Sequence, residues 1–168
     1  MNSGDHRPEP PYSAPPMEML AAFLDFHRAT LLWKLESLTD EEVRRSLTPS
    51  GMCLLGIVKH SALVERWWFQ IDFAGRDVDM LWSKDDPNSD WRIEPHETTE
   101  QIVAFYEGEC AKSRAIINRA SWDDPAARQD HRPGYTLGWI MTHMVEEKAR
   151  HNGHADILRE MLDGATGE

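Results

Sequence analysis

Cysteine is nearly absent from this chain, and basic charge is scarce. The two cysteines, Cys53 and Cys110, lie far apart with no C-x-x-C arrangement. That argues against a redox pair and suits two small buried hydrophobes in a reducing compartment. Lys plus Arg number 18 against 29 Asp plus Glu, a formal net charge of -11. Phosphate binding needs clustered positive charge, and no basic stripe occurs, so a nucleic-acid partner is excluded. No apolar run approaches the roughly 20 residues that cross a bilayer, so no membrane span is expected. The N-terminus also lacks the basic start and apolar stretch of a secretory signal, and a cytoplasmic body is expected.

Proline is present but concentrated. The opening MNSGDHRPEPPYSAPP predicts a flexible or extended arm over residues 1–17, ahead of one domain over 18–164. In that domain EMLAAFLDFHRATLLWKLESL (18–38) sets Leu20, Leu24, His27, Leu31, Lys34 and Leu38 at steps of three and four, the stripe of a long amphipathic helix. A Thr39-x-x-Glu42 capping box then starts a short helix that stops before Pro49. A second long helix is predicted over 53–75, capped by Ser50 and ended by Gly75, with Cys53, Ile57, His60, Val64, Trp67 and Ile71 inward. Residues 76–97 keep no period, and so long a connection suits a lid or binding loop in which Trp82 and Trp91 cover an opening or simply pack on the bundle. A third helix from Thr98 or Thr99 to Ala120 turns Ile102, Tyr106, Glu109, Ser113, Ile116 and Ala120 inward, and a fourth runs from about Thr136 to Leu162, stopped by Gly164. Four long helices without a strand pattern predict an all-α four-helix bundle with a long loop between the second and third helices.

The fourth helix carries the chemistry. Its stripe reads Leu137, Ile140, Met144, Glu147, His151, His154, Leu158 and Met161, apolar at both ends and ionisable in the middle. A lone carboxylate in an apolar interior is costly enough to need a partner. Glu147 and His151 are four residues apart, so their side chains leave one face a turn apart and can converge. The second helix offers His60, the one ionisable residue of its stripe. Two imidazoles and a carboxylate form a set known from catalytic zinc, with a fourth position open. Against this stand two plainer readings, a hydrogen-bonded core histidine at position 60 and an ordinary salt-bridged pair at 147 and 151. His154 and His27 also fall on stripes, as an outer partner, a substrate contact or a spare ligand. His143 is expected to be exposed, as are His6, His96 and His131. Glu65 either orients a ligand or faces solvent, and Arg150 and Arg159 are expected on the solvated face.

The blocks LLGIVKHSALVERWWF (54–69) and HMVEEKARHNGHADILRE (143–160) resemble the DinB/YfiT-like superfamily of metalloenzymes, over most of the chain from about residue 18 to 162. FLDFHRATLLWKLESLTDEEVRR also fits its actinobacterial branch. Members usually hold metal with three histidines, one on the second helix and two spaced by four on the last. His60 and His151 match, while Glu147 stands where many members have histidine. The branch of mycothiol-dependent maleylpyruvate isomerase is similar in using His, Glu and His on zinc. The resemblance therefore implies His60, Glu147 and His151 as ligands of a divalent metal, zinc first and nickel second, with mycothiol or a related thiol as cosubstrate. It also implies a small-molecule substrate and a homodimer. The isomerase's additional C-terminal domain has no counterpart here, so thiol transfer to an electrophile is expected rather than isomerisation, with His154 as the candidate catalytic group. Two alternatives are a hydrolase using metal-activated water and a bundle that binds metal or ligand without catalysis.

Overall fold

A computed structural model describes residues 7–80, 85–129 and 134–166. Trp82, His6 and His131, singled out above, lie outside the described residues. Helix α1 spans Pro16–Trp33 and opens with proline at its first positions, where a fixed φ helps and a missing N–H costs nothing. It stops short of the expected residue 38. Ser37 adopts a left-handed φ of 65°, and Arg159 Nη1 donates to the carbonyls of Lys34 and Glu36 at 2.8 and 2.9 Å, so the end is fixed from another helix. Arg159, expected on the solvated face, is thus largely buried.

Helix α2, Asp40–Arg44, starts at the predicted capping box of Thr39 and Glu42. Helix α3, Leu54–Glu65, is capped by Cys53, whose Sγ accepts from the Gly56 amide at 3.4 Å. Ser50 was the expected cap, but its hydroxyl is hydrogen-bonded to Thr48 Oγ1 at 2.9 Å, and Gly51 at φ +86° turns the chain before the helix begins. Helix α4, Thr99–Ile117, has a second capping box, Thr98 with Gln101, and ends three residues before Ala120. Helix α5, Leu137–Asp163, is capped by Thr136 and closed by Gly164 at φ 78°. Among the described residues there is no strand, only an isolated bridge between Pro125 and Thr136. The fold is all-α, as expected.

The second long helix does not stay α-helical to Gly75. From Arg66 to Phe73 it widens into a π-helix, continued by an Ala74 amide bond to the Phe69 carbonyl, five residues back. The wider turn shifts the inward phase. Trp67 is only partly buried, whereas Phe69, Gln70, Ile71 and Asp72 are inside. Asp72 accepts from the buried Tyr135 hydroxyl, which ties the segment to the start of α5.

Helix α3 packs chiefly on α4, and α1 on α5. The apolar core falls into two clusters. One contains Leu31, Leu55, Ile57, Val58, Tyr106, Ala155 and Leu158; the other contains Leu24, Phe69, Leu137, Ile140, Met141 and Met144. Between them runs a polar layer. Glu65 is 0% exposed, accepting from Arg28 Nε at 2.9 Å and Nη2 at 2.6 Å, with Lys148 Nζ 3.4 Å away. Glu65 therefore neither faces solvent nor orients a candidate ligand. Burial would raise its carboxyl, but the two cations outweigh this and hold it at about 2. Glu109, placed inward by its spacing, is likewise buried and held by Arg66, Gln70 and Lys112. Met161, the last member of the α5 stripe, is 55% exposed, because the final turn of α5 runs past the core.

Candidate metal centre

His60 projects from the middle of α3, and Glu147 and His151 from successive turns of α5. Each is reached because its helix has a fixed phase: Ile57 and Leu63 flank His60 in the core, and Met144 and Ala155 bracket the α5 pair. Glu147 Oε1 lies 2.9 Å from His151 Nε2 and 3.4 Å from His60 Nε2. One ligand atom from each residue falls within 4.8 Å of the other two. Ligands about 2.0–2.1 Å from one tetrahedral ion sit roughly 3.3 Å apart. These two edges bracket that value and the third is no longer than 4.8 Å, and the donor set of two imidazoles and one carboxylate suits a borderline divalent ion.

The surroundings point the same way. His60 Nδ1 is 2.7 Å from Asp90 Oδ2, so that Nδ1–H donates to this carboxylate; with no ion bound the protonated ring also donates from Nε2 to Glu147, and loss of the Nε2 proton frees that nitrogen for a metal. Burial works against protonating His60, but the hydrogen bonds to Asp90 and Glu147 prevail and raise it. Hydrogen bonds from His151 and His60 hold the Glu147 carboxyl far below the usual range. Trp91 stacks on His60 with centroids 3.9 Å apart and planes 15° from parallel. The side chains of His60, Glu147 and His151 are 14%, 19% and 9% exposed, so the group is largely buried and His60 alone lines an adjoining cleft.

His154 stands beside the trio, its Nδ1 3.4 Å from His151 Nδ1. His27 is one step further out, held by Asn152, and burial lowers its pKa. His143, expected to be exposed, is instead partly buried, stacked on Trp139 at 5.3 Å and edge-on to Trp68 at 4.8 Å. His96 and Arg150 are exposed as expected. Asp90 was not foreseen. It comes from the aperiodic loop, and no spacing rule connects it with His60, thirty residues earlier. The loop's Trp91 does lie over the site, as one of its two foreseen roles allowed.

A helical bundle with two histidines and a glutamate converging in its middle defines a class of candidate metal-binding proteins. A family model for mycothiol-S-transferase matches residues 19–164, and the chain belongs to that family. This agrees with the resemblance to the DinB/YfiT-like superfamily. No curated protein matches the chain.

Proposed function

We propose that this protein is a divalent-metal-dependent S-transferase that joins a mycothiol-type thiol to a small electrophile, with His60, Glu147 and His151 as the metal ligands. The observation that carries it is the convergence of these three donors inside a chain of the mycothiol-S-transferase family. Zinc is the first choice and nickel the second, since imidazole and carboxylate serve both. A bound ion of this kind supplies positive charge that lowers the pKa of a thiol at its open position.

The chain's own groups do the rest. Asp90 fixes the His60 tautomer, so that its Nε2 is presented without rotation of the ring. Glu147 contributes the one negative charge of the set, and Trp91 covers one face and excludes water. The reading gives His154, next to His151 and partly exposed, the role of taking the proton the thiol gives up. In an addition to an activated double bond the carbon–sulfur bond forms, the π bond breaks, and that proton ends on the neighbouring carbon. No oxidant or reductant is needed.

The test is elemental analysis of untagged protein beside His60→Ala and Glu147→Ala. Expected is one zinc or nickel ion per chain, lost in both variants, and thiol conjugates detected by mass spectrometry only with the loaded wild type. A folded wild type that holds no metal, and takes up none when zinc or nickel is added, overturns the reading.

A further inference from the structure

A cleft of about 250 Å³ opens beside the candidate metal centre. His60 forms part of its wall, and Leu63, Val64, Trp67, Trp68 and Pro87 form most of the rest. Of the three donors His60 alone lines the cleft, which runs from it along the helix toward the π-helical segment that supplies both tryptophans. Trp68 is held in place. Its ring meets His143 edge-on at 4.8 Å, Trp139 at 5.6 Å and Tyr135 at 6.2 Å, so the wall is a braced aromatic surface rather than a loose side chain.

Charge makes the cleft selective. Its ionisable lining besides His60 is Asp90, whose Oδ2 is engaged by His60 and whose Oδ1 is buried without a hydrogen-bond partner. Among the described residues no Lys or Arg lines it. A carboxylate-bearing substrate would lose water there and meet the Asp90 carboxylate with no Lys or Arg side chain among the described lining residues to offset it, while the charge of a bound divalent ion is balanced by Glu147 and the thiolate. A neutral ring would find aromatic faces and edges, each such pairing worth about 0.5–1.5 kcal/mol beyond its area.

We infer that this cleft holds the electrophile, and that it selects neutral, aromatic or similarly flat apolar electrophiles over carboxylate-bearing ones. The inference rests on the S-transferase reading for the reaction but not for the binding, and the experiment separates the two. Zinc-loaded full-length protein with mycothiol is given N-phenylacrylamide or its para-carboxylate, whose double bonds are similarly reactive. In both, sulfur bonds to the terminal carbon, the π bond breaks, and the thiol proton ends on the carbon next to the carbonyl. The neutral compound should be turned over with a kcat/KM roughly tenfold higher, the factor that about 1.4 kcal/mol supplies. Pro87→Lys, an exposed loop substitution at the cleft wall, should narrow that ratio severalfold without touching a helix.

Binding is measured separately by tryptophan fluorescence with N-phenylpropanamide, which cannot react, on protein without thiol or metal. Trp68→Ala should weaken it about tenfold, equivalent to about 1.4 kcal/mol of lost aromatic contact, and Trp68→Phe less. Binding that behaves this way while no electrophile is conjugated overturns the transferase reading and leaves the cleft assignment standing. Conjugation that proceeds with equal kcat/KM for both acrylamides, with Trp68→Phe and Pro87→Lys indistinguishable from wild type, overturns the cleft assignment and leaves the transferase reading standing.

Discussion

Replacing Glu65 by glutamine removes one negative charge from a place with no water to compensate. In the wild type both carboxylate oxygens are used by Arg28, which is 3% exposed, and Lys148 at 2% stands 3.4 Å away. In the variant two cations stay in the polar layer. Lys148 keeps its bond to the Ser61 carbonyl at 2.9 Å, and Arg28 keeps Asp25 at 2.7 Å, itself one-third exposed. Breaking a buried pair by removing one partner costs about 3–5 kcal/mol. The remaining bonds place this variant near the lower end. Against a total stability of about 5–15 kcal/mol this is a large fraction. In a chain of this length it corresponds to a fall of roughly 6–12 °C in Tm, at about 2–4 °C per kcal/mol.

The pH dependence has a definite sign. Glu65 titrates at about 2 in the fold against 4.5 ordinarily, so its contribution is present above pH 4.5 and lost as pH falls toward 2. Urea denaturation followed by far-UV circular dichroism at pH 7 and at successively lower pH measures both effects. Wild type and Glu65→Gln should differ by about 3 kcal/mol at pH 7 and converge below pH 4.5. A difference under about 1 kcal/mol at pH 7, or one unchanged down to pH 3, would refute the electrostatic account of this layer.

Asp90→Asn should lower metal affinity by about 10–100-fold, read by competition with a chromogenic chelator, because the group that fixes the His60 tautomer loses its charge; affinity within twofold of wild type would remove Asp90 from the site. Gly56 lies on α3 where an added Cβ would come within 2.6 Å of the Trp91 carbonyl. Gly56→Ala should push the loop that carries Asp90 and Trp91 off the helix, costing about 1–3 kcal/mol in urea denaturation and weakening metal binding as well.

The long helices and the inward faces that carry His60, Glu147 and His151 were legible because helical spacing places side chains on a face, whereas the ends of α1, α4 and the second helix were not. Ile102, Tyr106, Glu109 and Ser113 are all inside α4, as their steps of three and four required. Arg28, Glu65 and Lys148 were not legible as buried groups. Each lies one position off a stripe, and its burial depends on a partner from another helix that no local pattern reveals. Asp90 was hidden for the same reason, in a segment without period. The π-helix escaped because it conserves composition and amphipathic character while changing only the number of residues per turn.

That change of pitch behaves as one residue added to an otherwise α-helical segment. His60 lies upstream of it, and Glu147 and His151 are on another helix, so gain or loss of a single codon between 66 and 73 leaves the three donors where they are. It would rotate whatever follows by about 100°, the angle of one helical residue, so that an insertion next to Arg66 would turn Trp67 and Trp68 relative to His60, whereas one beyond Trp68 would leave them in place. A one-residue length change next to Arg66 would thus reshape the proposed electrophile cleft with no substitution at His60, Glu147 or His151. In an alignment of relatives, a lone gap at this point would mark the change.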